Sequence, residues 1–253
     1  MINKDMKKTK IIATLGPASS SRETMIEMIK EGVDVFRINF SHADYDLVKK
    51  NVELIRSINK EYGFNTAILG DLQGPKLRVG VVKEGSFINP GDILTFTNEN
   101  IEGDASRVYM TYERFAKDVK VGERILIDDG KLVFEVIETN QKDIVKAKAI
   151  QGGSLSSKKG VNLPNTAISL PALTEKDIED AKFMLDNEFD WIALSFVRHA
   201  QDIKDLKDLI QNHTNGKLNT PIIAKIEKPE GVENMDEILR ECDGIMVARG
   251  DLG

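Results

Sequence analysis

Cysteine is almost missing: Cys242 is the only one in 253 residues. No intrachain disulfide can form, which fits a reducing compartment. Long apolar runs are missing too. No stretch approaches the ~18 apolar residues of a membrane-spanning helix. The basic start, 1–10, leads only into the short apolar run 11–15 before Gly16-Pro17, less than a secretory signal requires. Positive charge is not in excess, with 35 Lys and Arg against 41 Asp and Glu and a net charge of −6. That balance argues against a nucleic-acid-binding domain, which is usually basic, yet leaves room for a local basic pocket. The expectation is a soluble cytoplasmic protein that engages neither nucleic acid nor membrane. Three catalytic signatures are also lacking: a Ser-His-Asp order, zinc-type His/Cys spacing and a Gly-rich phosphate loop ending in Lys-Ser/Thr.

What is present reads as globular. The chain is 41% hydrophobic and 30% charged, far from a disordered composition, and long enough to bury a sizeable core without staples. Short apolar runs alternate with amphipathic segments. The spacing predicts strands at 10–15, 34–40 and 66–69. Between them run two helices. One is capped by Ser20 with Glu23 and stopped by Gly32; the other carries a stripe of Val48, Val52, Ile55, Ile58 and Tyr62 and stops at Gly63. From about 79 to 166 the rhythm breaks. Short β-like pieces at 93–97, 124–127, 132–137 and 144–149 are separated by turn signals such as Pro90-Gly91 and Asp129-Gly130. After Pro171 the earlier rhythm resumes. Thr174 with Asp177 starts a helix bearing Ile178, Ala181 and Leu185. A strand at 191–197 follows, then a helix with Ile203, Leu206, Leu209 and Ile210. A strand at 222–226, a helix with Val232, Met235, Ile238 and Leu239, and a strand at 244–248 complete the series. Strands alternating with helices imply an α/β fold with a parallel sheet, and their apolar character suits burial on both faces.

Polar residues collect at the C-terminal ends of these strands. Arg37, Asn39 and Ser41 fall at i, i+2, i+4, on one face of an extended segment. Lys225 and Glu227 do the same. Asp71 ends the third strand, and Arg249 and Asp251 follow the sixth. In parallel α/β sheets and barrels, that end carries the active site. The carboxylates Glu227 and Asp251 suit a hard divalent cation such as Mg²⁺. The cations Lys225, Arg37 and Arg78 suit a phosphate or carboxylate. Together they are equipment for phosphoryl transfer or enolate stabilisation. Plainer alternatives stand beside each assignment. Lys225 and Glu227 can form a structural ion pair, and Arg37 can neutralise Asp71 or Glu227. His42 can be a loop or capping residue, and Asp251 a turn residue. Lys158-Lys159-Gly160 is either a solvated turn or a lid segment reaching a nucleotide phosphate.

Seven strings in order give the chain a specific resemblance: TKIIATLGP at 9–17, FRINFSH at 36–42, GDLQGPKLR at 70–78, KKGVNLP at 158–164, LPALTEKD at 170–177, IIAKIE at 222–227 and DGIMVARGDLG at 243–253. The chain resembles the N-terminal half of the pyruvate kinases. The resemblance implies a TIM-type (β/α)8 barrel with a small β-barrel lid inserted after the third strand. It divides the chain into a first barrel part at 1–75, a lid at 76–168 and a second, incomplete barrel part at 169–253. It implies transfer of a phosphoryl group from phosphoenolpyruvate to ADP, giving pyruvate and ATP.

Carried over by motif, Lys225 and Arg37 are similar to the catalytic cations that contact the substrate phosphoryl group. Gly250 and Asp251 are similar to the substrate-carboxylate contacts. Glu227 and Asp251 match the Mg²⁺ (or Mn²⁺) ligands, and Asn39, His42, Arg78 and Lys159 the nucleotide contacts. Asn39, Ser41, Asp71 and Leu72 match the K⁺ site. Members that need K⁺ usually read DTKGPE where this chain reads DLQGPK at 71–76. Lys76 therefore places an ammonium where a glutamate is usual, and the expectation is activity without K⁺. The full-length parent is expected to be a homotetramer. With six strands placed, the chain itself is expected to be an incomplete fragment, inactive alone. The alternatives are a metal-dependent lyase or aldolase of pyruvate-like substrates, or a truncated product without catalysis.

Overall fold

The computed structural model describes residues 8–249, apart from the side chain of His42. The chain divides into two compact units, Met1–Pro75 with Pro171–Gly253, and Lys76–Leu170. In chain order the first unit opens with β1 (Ile11–Thr14), α1 (Arg22–Lys30), β2 (Val33–Asn39), α2 (Tyr45–Tyr62) and β3 (Ala67–Asp71). The second unit contains β4 (Phe87–Ile88), β5 (Ile93–Thr97), β6 (Arg107–Tyr109), a short α3 (Phe115–Asp118), β7 (Arg124–Ile127), β8 (Leu132–Thr139), β9 (Ile144–Gln151), β10 (Gly153–Ser154) and β11 (Val161–Asn162). The first unit then continues with α4 (Glu175–Asp186), β12 (Trp191–Leu194), α5 (Ala200–Thr214), β13 (Ile222–Ile226), α6 (Pro229–Glu233), α7 (Met235–Glu241) and β14 (Gly244–Val247).

The sheet of the first unit runs β1-β2-β3-β12-β13-β14, with every neighbouring pair parallel. Strand order thus follows chain order, the arrangement of a half-barrel. The helices cover one face of it. Met25 and Ile29 of α1, Ile55 and Ile58 of α2, Met184 of α4 and Leu206 of α5 are fully buried. They pack with Phe36, Ile68, Ile192 and Ala224 of the strands in one apolar cluster. At about 25 cal/mol per Å² of apolar surface, burying each large side chain contributes roughly 1.5–3 kcal/mol. The two outer strands are less covered: Ile11 and Ile12 of β1 and Ile245 and Val247 of β14 are exposed. They sit at the sheet edges.

The second unit has its own core, centred on Phe96, Phe115 and Phe134. Its main sheet runs β11-β7-β8-β9-β5-β6, antiparallel except for the β5–β6 pair. A curled sheet of this kind fits the expected lid. A two-stranded pair, β10–β4, completes the unit.

Several local expectations are corrected. The N-cap of α1 is Ser21, whose side chain accepts from Thr24 N. Ser20 turns back to donate to the Gly16 carbonyl at 2.7 Å, because a short 3-10 turn at Pro17–Ser19 intervenes. Tyr62 leaves the α2 stripe and lies exposed, stacked on Phe64. The strand predicted at 191–197 stops at Leu194, since Phe196 takes a left-handed φ of 55°. The last helix is two pieces meeting at Asn234, with only Ile238 of its four apolar positions buried.

Candidate active site

Register decides which polar residues meet. Thr14 pairs with Arg37, Asn39 with Asp71, and Asp71 with Ala193, so the C-terminal ends of β1, β2, β3 and β12 are level. Lys225 lies on β13 and Glu227 follows its end. A line of alternating charge results. Arg37 donates from Nε to Asp71 Oδ2 at 2.7 Å, and its Nη2 lies 2.5 Å from the same oxygen. Arg37 Nη1 donates to Thr14 Oγ1 at 2.8 Å. Asp71 Oδ1 lies 3.1 Å from Lys225 Nζ, and Lys225 Nζ lies 3.0 Å from Glu227 Oε1. The carboxylates are buried, with Asp71 1% and Glu227 3% exposed.

Burying the two carboxylates is costly unless their charge is compensated. Here two cations and two anions alternate. One atom is left incompletely satisfied. Asp71 Oδ1 has its ion-pair contact with Lys225 but no hydrogen bond among the described residues. A buried acceptor in that state retains capacity for a donor or cation.

The supporting contacts come from residues that sequence reasoning missed. Ser195 is buried; it accepts from Lys225 Nζ at 2.8 Å and donates to the Leu72 carbonyl at 2.6 Å. Phe196 N donates to Glu227 Oε2 at 2.9 Å. A phenylalanine at positive φ is an uncommon, strained conformation, and here it aims the backbone N–H at the carboxylate. Leu72 N donates to the Ala193 carbonyl at 3.0 Å. Ser195 carries a usable signal, a polar residue just past an apolar strand, but the strand expected through residue 197 hides it. Thr14, at the end of β1, carries the same signal.

The remaining expected residues are placed as follows. Asn39 and Ser41 stand beside each other, with Ser41 N donating to Asn39 Oδ1 at 3.0 Å. Arg78 and Lys159 belong to the second unit. There Arg78 bridges to Gly160 and donates to the Lys158 carbonyl at 2.7 Å. Lys159 pairs with Asp128 at 3.0 Å; the hydrogen bond from Lys131, joined by that from Lys159, holds the Asp128 carboxyl below its ordinary range. Lys76 also belongs to the second unit. Gly250, Asp251 and the His42 side chain lie outside the described residues. Among the described residues, no cluster of three or more His, Cys, Asp or Glu side chains is positioned to hold a metal ion. Of the two expected metal ligands, Glu227 lies among the described residues and supplies hard carboxylate oxygens just past the end of β13.

Parallel strands with charge gathered at their C-terminal ends are common to many enzymes, so the comparisons are decisive. Residues 6–253 match the family model described as pyruvate kinase, barrel domain. The chain belongs to the pyruvate kinase family. Its half-barrel is accordingly of the TIM type. The chain is 46% identical over 252 residues to pyruvate kinase 2 of Synechocystis sp., covering 98% of this chain and 42% of that protein. It is 43% identical over 250 residues to the pyruvate kinase of Clostridium perfringens, covering 98% and 52%. The figures for the pyruvate kinase of Corynebacterium efficiens are 42% over 248 residues, 98% and 52%. The chain thus spans about half the length of the curated relatives it matches. No helix among the described residues is long and apolar enough to cross a membrane.

Proposed function

We propose that the protein transfers the phosphoryl group of phosphoenolpyruvate to ADP in the cytoplasm. The observation that carries this reading is the line Arg37–Asp71–Lys225–Glu227, two cations held by buried carboxylates at the strand ends of a pyruvate kinase family chain. In the reaction the bond from phosphorus to the enol oxygen breaks and a bond to the terminal phosphate oxygen of ADP forms. The enol oxygen keeps the electron pair, and protonation of the enolate at carbon gives pyruvate. Such transfer needs positioning and charge compensation more than covalent help.

Lys225 supplies a point charge to the transferring group. Arg37 donates one N–H to Thr14 and one to Asp71, and its Nη2 is in ion-pair contact with the same Asp71 oxygen. Of the five guanidinium hydrogens, about two remain for a phosphoryl oxygen. Glu227, with Asp251, would hold Mg²⁺ or Mn²⁺, and the carboxylate oxygens of Glu227 suit so hard an ion. When bound, the ion neutralises phosphate charge. Substrate-carboxylate contacts by Gly250 and Asp251 belong to the same proposal, as do nucleotide contacts by Asn39, His42, Arg78 and Lys159. So does a homotetrameric assembly. Asp71, with its incompletely satisfied Oδ1, Asn39, Ser41 and the Leu72 carbonyl form the monovalent-cation side, and Lys76 replaces K⁺ there.

The test is a lactate-dehydrogenase-coupled assay on the intact protein. Phosphoenolpyruvate-dependent turnover is expected, and Lys225→Met should lower kcat by ~10³-fold, the scale for losing a preorganised charge-stabilising donor. Wild-type turnover by that variant would sink the reading. Turnover in sodium-only buffer should equal that with K⁺; a rise of orders of magnitude on adding K⁺ refutes the role of Lys76.

A further inference from the structure

Asp177 is fully buried at the third residue of α4. One carboxylate oxygen does what a helix start requires: Oδ2 accepts from Thr174 N at 3.0 Å and Thr174 Oγ1 at 2.6 Å, while Asp177 N donates back to Thr174 Oγ1 at 3.2 Å. That capping box stabilises the helix by satisfying otherwise unpaired donors. The other oxygen has no part in the cap. Oδ1 accepts from Gly74 N at 3.0 Å, across 103 residues of sequence.

Gly74 belongs to the turn that follows Asp71. The turn is held at three points by two segments, β12 with the residue that follows it, and α4. Ala193 of β12 takes the Leu72 N–H, Ser195 donates to the Leu72 carbonyl, and Asp177 takes the Gly74 N–H. Gly74 has a φ of 69°, and a Cβ there would fall 2.8 Å from both Phe196 Cδ2 and Ser195 Cβ. The turn therefore has little freedom to drift while the anchors hold. Asp71, one residue upstream, orients Arg37 and Lys225.

We infer that Asp177 is a positioning residue of the active site, setting the 71–74 turn, and through it Asp71, by the bond to Gly74. This rests on the kinase reading and goes beyond it. Nothing in the capping role requires Oδ1 to reach the turn.

Three variants of the intact protein separate the two roles. Thr174→Ala weakens the cap and leaves the Gly74 bond, so it should lower stability with kcat unchanged. Asp177→Ala removes both, and kcat of the folded protein should fall ~10- to 100-fold, the scale for a misplacement near 1 Å. Asp177→Glu keeps the Ser/Thr-x-x-Glu capping box but displaces the carboxylate from Gly74, so kcat should fall about 10-fold or more while the cap persists. It carries the test if Asp177→Ala does not fold. Wild-type turnover with both Asp177 variants matching Thr174→Ala in kcat overturns the positioning role alone. A wild-type protein with no turnover overturns the kinase reading, and this inference with it.

Discussion

Replacing Gly74 by alanine tests how tightly the turn after β3 is seated. Two costs add. An alanine forced to a φ near 69° loses about 1 kcal/mol relative to glycine. Its Cβ then meets Phe196 Cδ2 and Ser195 Cβ, each at 2.8 Å. Neither neighbour gives easily: Ser195 is held by Lys225 and Leu72, and Phe196 by its N–H on Glu227. Crowding of that kind in a packed interior costs roughly 1–3 kcal/mol, for a total of about 2–4 kcal/mol. Gly63 supplies the control within the same unit. Its φ is 68°, and a Cβ there meets nothing within 4 Å, so Gly63→Ala should lose only the ~1 kcal/mol conformational part. Urea unfolding followed by the single tryptophan, Trp191 of β12, reports on this unit. With a slope of ~2 kcal/mol per molar urea, the two variants should differ in midpoint by about 0.5–1.5 M. Equal midpoints would refute the claim that β12 and the turn are in tight contact.

Further outcomes follow from other clusters. Tyr45→Phe removes the hydroxyl that donates to the fully buried Asp180 at 2.6 Å, leaving that oxygen with one donor fewer. A loss of about 1–2 kcal/mol is expected, read by the same urea assay, and an unchanged midpoint would refute it. Ser195→Ala deprives Lys225 and the Leu72 carbonyl of a shared partner; kcat in the coupled assay should drop ~10-fold or more, whereas an unchanged rate would show that the lysine is held without it. In the second unit, burial pushes the Asp118 carboxyl up. Hydrogen bonds from Tyr112 and from Ser169, with the charge of Arg114, outweigh burial and bring it below its ordinary 3.8. A lowered carboxyl stabilises the fold fully above 3.8 and loses that contribution as pH falls through the lower folded value. Asp118→Asn should therefore destabilise the unit at pH 7, with the gap to wild type closing below pH 3.8. A constant gap would contradict the assignment.

Much of the fold was legible because local physics set it. Alternating apolar runs and amphipathic stripes gave strands and helices near their observed places, and Gly63 and the Thr174–Asp177 box ended and began helices as their chemistry dictates. The break near residue 79 separated two compositions that bury two separate cores. Motif order further marked Arg37, Asp71, Lys225 and Glu227 as belonging together. Each carries charge next to apolar strand sequence, which makes it conspicuous without coordinates.

Tertiary structure decided what those charges do to one another. Strand register made Asp71 the counter-ion of both Arg37 and Lys225, and no spacing along the chain encodes that choice. It also stopped β12 at Leu194 and turned Phe196 to positive φ, which brought Ser195 to Lys225 and the Phe196 N–H to Glu227. Ser195 becomes conspicuous only once β12 is known to end at Leu194, and Phe196 is unremarkable in sequence. Their roles arise from hydrogen bonds between residues 30 or more apart in the chain, 123 apart for Ser195 and Leu72. Local periodicity reports what each segment prefers; it is silent on which distant segment supplies a partner for a buried polar group.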